Sequence, residues 1–204
     1  MEKLQAALAR ARNKRDGSEP ARGSRPELSA RVRSRRMAQA EVVNAAWDAL
    51  PRFEPSAKRM HASRIFASEA TSDAQHFDIL RTKLLLEMRR NDWTRIAITS
   101  ATPNCGKTTI ACNLIAGLGR QPEMRGLLFD VDFRRPSVSK LFGASPPASL
   151  EDVLMESVAF DEQAMRLDEN TIISMTTKPV ADPSPVINRA RTAEILDDVQ
   201  STYQ

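Results

Sequence analysis

Short apolar runs alternate with amphipathic stretches along the second half of the chain. Residues 95–100 (R-I-A-I-T-S) form a compact apolar run that is typical of a buried strand, and the apolar spacing of 108–118 is that of a helix. A second apolar run, L-L-F-D-V-D, begins after Gly126. A strand, a helix and a strand in this order make a βαβ unit. The pattern therefore predicts an α/β fold in which helices flank a parallel sheet.

Helical and strand patterns on either side of this unit predict the rest of the domain. Ser72 and Gln75 have the spacing of a capping box and precede a stretch with helical periodicity. The apolar stripe of that helix consists of Phe77, Leu80, Leu84 and Met88. The remaining predicted elements are short helices at 136–142 and 149–155, a strand at 171–176 and a long helix at 184–202.

The first 70 residues differ from the rest in composition. Residues 1–36 hold eleven Lys and Arg against four acids, and Gly and Pro interrupt them repeatedly. Such a stretch cannot bury enough apolar surface to offset its conformational entropy. Residues 1–70 are therefore predicted to be a mostly disordered basic region with one short helix at 38–50, followed by a folded domain at 71–204. That short helix would place Val43, Trp47 and Leu50 on one face.

The basic N-terminal region limits the classes of partner. An anionic membrane surface is a candidate, since each Lys or Arg near lipid contributes about 1 kcal/mol. Nucleic acid is disfavoured because the first 36 residues contain no aromatic side chain for base stacking. A solvated extension with no partner is the alternative.

Hydropathy and cysteine content favour a cytoplasmic location. No run of 18 apolar residues is present, and the N-terminus lacks the continuous apolar stretch of a signal peptide. The two cysteines, Cys105 and Cys112, fall in a predicted loop and a predicted helix, which does not suggest a disulfide framework.

The loop after the first predicted strand matches a phosphate-binding motif. Residues 101–108 read A-T-P-N-C-G-K-T, the Walker A pattern with Ala in place of its first Gly. Backbone N–H groups and the helix N-terminus of such a loop hold phosphates, with Lys107 on the β- and γ-phosphates and the Thr108 hydroxyl on Mg²⁺. The residues expected to contact the nucleotide are Thr102, Pro103, Asn104, Cys105, Gly106, Lys107, Thr108 and Thr109.

Two features of this loop have alternative interpretations. The motif itself could be a glycine-containing turn with a surface lysine, although its place between a strand and a helix favours phosphate binding. Gly106 is expected to be required because a side chain there would intrude on the phosphate path. Cys105 is either a redox-active thiol at a helix N-terminus or a small residue that fills the loop.

A pair of carboxylates follows the second predicted strand. Asp130 and Asp132 lie two residues apart, so their side chains share a face at the carboxyl end of the strand, where ligands bind in open α/β sheets. Next to a triphosphate, a Mg²⁺ ion would offset their repulsion, with one as metal ligand and the other as candidate proton acceptor. The alternative is a structural pair that makes turn and capping hydrogen bonds.

With these motifs in place, the region from about Phe77 to Gln204 resembles the bacterial tyrosine kinases of polysaccharide export, the CpsD/CapB-like family. The resemblance is carried by F-D-I-L-R-T-K-L-L-L, I-A-I-T-S-A-T-P-N-C-G-K-T-T, L-L-F-D-V-D-F-R-R-P-S-V-S-K-L-F-G, S-L-E-D-V-L and D-P-S-P-V-I-N-R-A-R-T-A-E-I-L. It implies a P-loop fold related to MinD and ParA ATPases, ATP and Mg²⁺ as cofactors, tyrosine phosphorylation, and a membrane-embedded regulator of polysaccharide chain length as partner.

Carried over by position, the resemblance assigns Lys107 and Thr108 to the phosphates and metal, and Asp130 and Asp132 to the second, Walker A′ motif as metal-site and catalytic carboxylates. The chain also departs from the family. The family often carries a Glu-x-x-Arg-x-x-Arg oligomerisation motif. When its last Arg is aligned with Arg81, this chain has Gln75 and Asp78 at the other two positions, so the homo-oligomeric state stays open.

Three further departures concern the loop and the C-terminal part. Asn104 stands where the family has Gly, and Tyr203 is the single tyrosine where the family has a tyrosine cluster. The family's Walker B strand would follow the helix at 184–202, so the chain is expected to be truncated before it. The alternatives to a kinase are a MinD/ParA-type ATPase switch, which usually carries an additional lysine where this loop has Thr102 and Pro103, and a non-catalytic ATP-binding adaptor of a membrane polysaccharide co-polymerase.

Overall fold

The computed structural model describes residues 25–203, which divide into two units at the boundary between Val42 and Val43. In the first unit, the described residues all belong to helix α1 (Arg25–Ala49), which continues into the second unit. The helix predicted at 38–50 is therefore longer at its N-terminal end than the sequence pattern indicated. Pro26 lies in the first turn of α1, where its missing N–H costs no intrahelical hydrogen bond. Residues 1–24 lie outside the described part.

The second unit begins well before the predicted boundary at residue 71. Val43, Trp47 and Leu50 are buried, as the spacing on α1 predicted. Residues 51–70 were predicted as linker, but they contain helix α2 (Ala57–Ala62), and both Ile65 and Ala67 are buried. The composition of this stretch is that of a linker, so the sequence did not reveal that a few of its apolar residues are buried.

Helix α3 (Gln75–Arg90) confirms a helix in the predicted place, and Phe77, Leu84 and Met88 of the predicted stripe are half-buried, but the start of the helix and Leu80 differ from the prediction. Its N-cap is Ala74, and no side chain caps it, so the predicted capping box does not form. Leu80, a member of the predicted stripe, is 41% exposed, whereas Arg81 is 7% exposed. Arg81 donates hydrogen bonds to the Gly117 carbonyl at 2.8 Å and to Asp78 at 2.7 Å. A charged side chain with good partners therefore takes the place that the apolar pattern gave to leucine.

The sheet confirms the α/β class and adds a strand. Its order is β1 (Gly126–Phe129), β3 (Thr171–Ser174) and β2 (Met165–Asp168). Strands β1 and β3 are parallel, with Gly126 opposite Thr171, and helix α4 (Lys107–Gly119) connects to β1 as predicted. Strand β2 pairs antiparallel with β3. It escaped prediction because only four residues of mixed polarity form it.

The strand predicted at 95–100 does not form. These residues have no assigned strand, and Ile96 is 41% exposed. Arg95 is held instead by helix α9 (Ala190–Tyr203), through Gln200 at 2.7 Å and Asp197 at 2.6 Å. A strand requires a neighbour for its backbone N–H and C=O groups, and within residues 25–203 no strand pairs with this segment.

The remaining helices follow the predictions with one difference. Helices α5 (Val138–Phe142), α6 (Leu150–Leu154) and α7 (Phe160–Gln163) precede β2, and the first two were predicted. The long helix predicted at 184–202 is divided into α8 (Ser184–Ile187) and α9. The Thr192 hydroxyl donates a hydrogen bond of 2.6 Å to the Val186 carbonyl, which a continuous helix would reserve for the N–H of residue 190.

Apolar side chains from both faces of the sheet form the core of the second unit. On one side, Ile115 and Ala116 of α4 pack with Ile173 of β3. On the other, Trp47 and Tyr203 pack with Ile172. Among residues 25–203, no helix combines the length and hydrophobicity that a bilayer crossing requires.

Candidate functional site

The loop before α4 has a backbone that fits a phosphate cradle. Asn104 and Gly106 adopt left-handed conformations, with φ of 61° and 91°, and α4 begins directly afterwards at Lys107. The Ser100 hydroxyl and the Cys105 thiol both donate hydrogen bonds to the Thr102 carbonyl, at 2.9 and 2.7 Å. Asn104 suits its left-handed conformation, since Asn tolerates this region better than most residues.

The backbone gives a reason of its own for glycine at position 106. A Cβ atom built there would meet no protein heavy atom within 4 Å, so protein packing does not demand glycine at this position. The constraint shown here is the backbone, because a φ of 91° is strained for residues other than glycine.

Cys105 is exposed at the loop, and hydrogen bonding with Ser100 lowers the pKa of its thiol. Cys112 faces the core, and burial raises its pKa. The two interpretations of Cys105 both remain compatible with this geometry.

The predicted lysine and the second predicted carboxylate meet. The Lys107 ammonium donates a hydrogen bond to Asp132 Oδ2 and forms an ion pair with it, and both side chains are less than one third exposed. The Arg135 N–H donates to the other carboxylate oxygen at 3.0 Å. Burial alone would raise the pKa of Asp132, but the bonds from Lys107 and from the backbone outweigh it, and its pKa lies below the ordinary value.

Asp130 has a different environment and is only 4% exposed. Its Oδ2 accepts hydrogen bonds from the N–H groups of Ser137 and Val138, both at 3.1 Å, and its Oδ1 accepts one from Asp132 N–H at 3.3 Å. Burial raises the pKa of this carboxyl group in spite of these bonds. Asp130 thus holds the N-terminus of α5 against the end of β1, which is the capping role of the alternative interpretation.

The hydroxyl predicted as a metal ligand also has a partner. Thr108 Oγ1 accepts a hydrogen bond of 3.1 Å from the Ser137 hydroxyl. Sequence reasoning missed Ser137, although it stands in the R-R-P-S stretch just after the acidic pair.

A second residue that sequence reasoning missed, Asn113, holds α4 against the backbone of residues 64–67. Its side chain is fully buried and makes four hydrogen bonds: Oδ1 accepts from Phe66 and Ala67 N–H, and Nδ2 donates to the Arg64 and Thr109 carbonyls, all within 3.1 Å. An Asn inside an amphipathic helix gives no signal in the sequence of such a role.

The predicted site residues fall into two groups. Lys107, Thr108, Asp130 and Asp132 lie around one point between the start of α4 and the end of β1. Thr102, Pro103, Asn104 and Cys105 are exposed on the loop, while Gly106 and Thr109 are half-buried.

The donor set is suited to Mg²⁺. Thr108, Asp130 and Asp132 offer only oxygen atoms, and Mg²⁺ is usually held by one or two carboxylates together with water and substrate phosphates. Within residues 25–203, no group of three or more His, Cys, Asp or Glu has the geometry of a metal site. Asp132 has the more accessible carboxylate, since three backbone N–H groups occupy Asp130.

Comparison with curated proteins identifies two bacterial relatives. The chain is 27% identical over 147 residues to the tyrosine-protein kinase YwqD of Bacillus subtilis. It is 31% identical over 129 residues to a putative tyrosine-protein kinase in the cps region of Klebsiella pneumoniae. These matches cover 71% and 61% of the chain, and the chain spans 62% and 17% of the two relatives. No family model matches the chain.

Solved structures show the same fold. The VpsO kinase domain has a TM-score of 0.55 at 24% identity, over 63% of both chains. The chimerical protein CapA2B2 has 0.56 at 20% identity, and the BceF tyrosine kinase domain has 0.59 at 22% identity. Both cover 74% of this chain, and the matched parts are 63% and 64% of those proteins. The chain thus resembles bacterial tyrosine-protein kinases in sequence and shares the fold of their solved kinase domains.

Proposed function

We propose that this chain is an ATP-binding, Mg²⁺-dependent component of exopolysaccharide or capsule biosynthesis that acts as a protein-tyrosine kinase. The observation that carries the proposal is the meeting of Lys107, at the first residue of α4, with Asp132, just beyond β1, beside a left-handed Gly106. The relative in the cps region supports the biological setting.

Each residue has a role in this proposal. The N–H groups at the start of α4 and the Lys107 ammonium would bind the β- and γ-phosphates. Thr108 and Asp132 would hold Mg²⁺, which when bound supplies positive charge against the charge that develops on the transferred phosphoryl group. Asp130 would keep the acidic turn in place from its buried position.

Asp132 would combine both roles of the acidic pair, since Asp130 is buried: besides holding Mg²⁺, it would accept a hydrogen bond from a tyrosine hydroxyl. Its lowered pKa keeps it ionised but makes it a weak base, so it would take the proton only as the phosphoryl group is transferred. In this structure Lys107 donates a hydrogen bond to its Oδ2. Binding of phosphate, which draws Lys107 away, would therefore free Asp132 for this role.

Phosphotransfer to a synthetic Glu-Tyr copolymer tests the activity. We expect the chain with ATP and Mg²⁺ to label the copolymer, and Lys107→Met to abolish labelling. Lys83→Met is the matched control, because Lys83 is an exposed lysine on α3. Labelling that is equal in the Lys107→Met variant would refute the assignment of Lys107.

A non-catalytic ATP-binding adaptor is the second candidate. It is favoured by Asp130, because three backbone N–H groups occupy this carboxylate and leave Asp132 as the accessible acid of the pair. An adaptor would bind ATP with Mg²⁺ and yield neither phosphotyrosine nor free phosphate. A MinD/ParA-type switch would release phosphate and label no tyrosine, so the two products separate all three functions.

The proposed partners are a membrane-embedded regulator of polysaccharide chain length and the anionic membrane surface, the latter through residues 1–36. CapA2B2, a chimerical protein, is among the solved structures with this fold. Sedimentation with vesicles that contain anionic lipid, compared with neutral vesicles, tests the membrane contact. Equal sedimentation with both would refute it.

A further inference from the structure

Ser137 lies at the junction of the two halves of the candidate site. Its backbone N–H donates to Asp130 Oδ2 at 3.1 Å, and its hydroxyl donates to Thr108 Oγ1 at 3.1 Å. One residue therefore connects the acidic turn after β1 to the first turn of α4. The two bonds span 7 and 29 positions of the sequence.

The direction of the Ser137 hydroxyl is unusual for its position. Ser137 is the N-cap residue of α5, where a serine side chain normally accepts a hydrogen bond from the second or third helical N–H. Ser56 does this for α2, accepting from Arg59 N–H at 3.2 Å. The Ser137 side chain makes no such bond. Asp130 takes over the capping of α5 by accepting the Val138 N–H, which leaves the Ser137 hydroxyl available for Thr108.

The contact sets the orientation of Thr108. A hydroxyl oxygen has two acceptor lone pairs, and Ser137 occupies one of them. The second lone pair stays available for a cation, and rotation of the threonine side chain would cost the bond to Ser137. Since Mg²⁺ tolerates little departure from octahedral geometry, a ligand held in one rotamer binds it better than a free one.

We propose that Ser137 is a positioning residue for the Thr108 hydroxyl, and through it for the divalent cation that accompanies the nucleotide. The proposal rests on the function proposed above and adds to the site a residue that the Walker A and acidic motifs do not include. Ser137 acts through Thr108 and touches neither phosphate nor substrate in this account.

The Ser137→Ala variant removes one bond and keeps the other. The bond to Asp130 comes from the backbone N–H, which alanine retains, and the side chain does not cap α5. The ligand-free variant is therefore expected to unfold at nearly the temperature of the unsubstituted chain. Ser137→Thr restores the hydroxyl, and Ser139→Ala, which removes a serine from the first turn of α5, is the matched control.

The test is the binding of ADP by calorimetry, first with EDTA and then over a range of Mg²⁺ concentrations. We expect the unsubstituted chain to bind ADP in EDTA and to bind more tightly with Mg²⁺. In Ser137→Ala, the affinity for ADP in EDTA is expected to be unchanged. The Mg²⁺ concentration that gives half of the gain in ADP affinity should rise about 2- to 10-fold, the range for loss of one hydrogen bond. Ser137→Thr should recover most of this loss, and Ser139→Ala should equal the unsubstituted chain.

The outcomes separate this inference from the proposed function. Binding of ADP with the same Mg²⁺ dependence in the unsubstituted chain and in Ser137→Ala overturns the role of Ser137 alone. An equal loss of ADP affinity with and without Mg²⁺ would make Ser137 a general structural residue, as would a much lower unfolding temperature of Ser137→Ala without ADP. Either result also overturns the positioning role. No binding of ADP by the unsubstituted chain overturns the proposed function, and the inference with it.

Discussion

Lys107 and Asp132 form an ion pair between the first residue of α4 and the turn after β1, so a carboxylate holds the lysine that is expected to bind phosphate. In the proposed function, phosphate would compete with Asp132 for this ammonium group. The pair would then oppose nucleotide binding while it keeps the two halves of the site together.

Removal of the carboxylate charge is expected to strengthen the binding of ADP in EDTA. Asp132→Asn frees Lys107 and removes a negative charge next to the phosphates, and a partly exposed ion pair contributes about 0.5–1 kcal/mol, or roughly 2- to 5-fold in affinity. Calorimetry measures the change, with the exposed Asp161→Asn as the control. Equal or weaker binding by Asp132→Asn would contradict the competition. Tyrosine phosphorylation should fall in the same variant, because the proton acceptor is lost.

The pH dependence of stability should report on the same residue. The pKa of Asp132 is lowered in the folded chain, so its contribution to the free energy of unfolding is present above the ordinary carboxyl range and is lost as pH falls through the folded pKa. Urea unfolding of the unsubstituted chain and of Asp132→Asn should differ near pH 7 and converge at acid pH. If the difference in free energy of unfolding between the two proteins grew as pH fell, it would contradict the lowered pKa of Asp132.

Gly106→Ala is expected to cost about 1 kcal/mol of stability, because alanine at a φ of 91° is strained and the space around it is empty. Nucleotide affinity should fall as well, since α4 begins at the next residue. Gly106→Asn should be tolerated better, as asparagine enters the left-handed region more readily. Urea unfolding and calorimetry of both variants test this order, and equal losses in the two would contradict the conformational explanation.

Tyr203 is expected to serve packing and not as a phosphate acceptor. It is the only tyrosine in the sequence and is 5% exposed, with its ring 5.2 Å from that of Phe160 and 6.3 Å from that of Trp47. Tyr203→Ala should destabilise the chain by about 3–5 kcal/mol, and Tyr203→Phe by much less. Mass spectrometry after incubation with ATP and Mg²⁺ should find position 203 unmodified. Stoichiometric phosphorylation there would contradict its packing role.

Asn113→Asp tests whether the Asn113 side chain holds α4 against residues 64–67. The substitution keeps the shape but replaces the amide group that donates to the Arg64 and Thr109 carbonyls, so two carbonyl oxygens would face a buried carboxylate. A loss of about 1–3 kcal/mol is expected near neutral pH. Urea unfolding measures it, with Asn188→Asp at an exposed position as the control. Equal stability of the two variants would refute the support role.

The sequence was sufficient for elements with strong local signals. Helix α4 and strands β1 and β3 formed where apolar periodicity predicted them, and the lysine and the two aspartates that motifs identified lie together. These predictions succeeded because adjacent residues carry both the apolar periodicity and the loop motif at 101–108.

The predictions failed where residues distant in sequence determine the local structure or the role of a side chain. The strand at 95–100 depends on a neighbour that its own apolar pattern cannot reveal, and within the described residues it has none. Ser137 and Asn113 look ordinary in sequence, because their roles come from partners 29 and about 47 positions away. Asp130 matched its motif, yet its burial and three N–H partners could be known only from the folded chain.

Calorimetric titration of ATP with Mg²⁺ into the chain, and into its Lys107→Met variant, tests the central claim most directly. The account predicts saturable binding at one site in the unsubstituted chain and at least a tenfold loss of affinity in the variant, since Lys107 is the charged group expected on the phosphates. Equal affinity in the two proteins, with Lys107→Met folded to the same degree, would contradict the account.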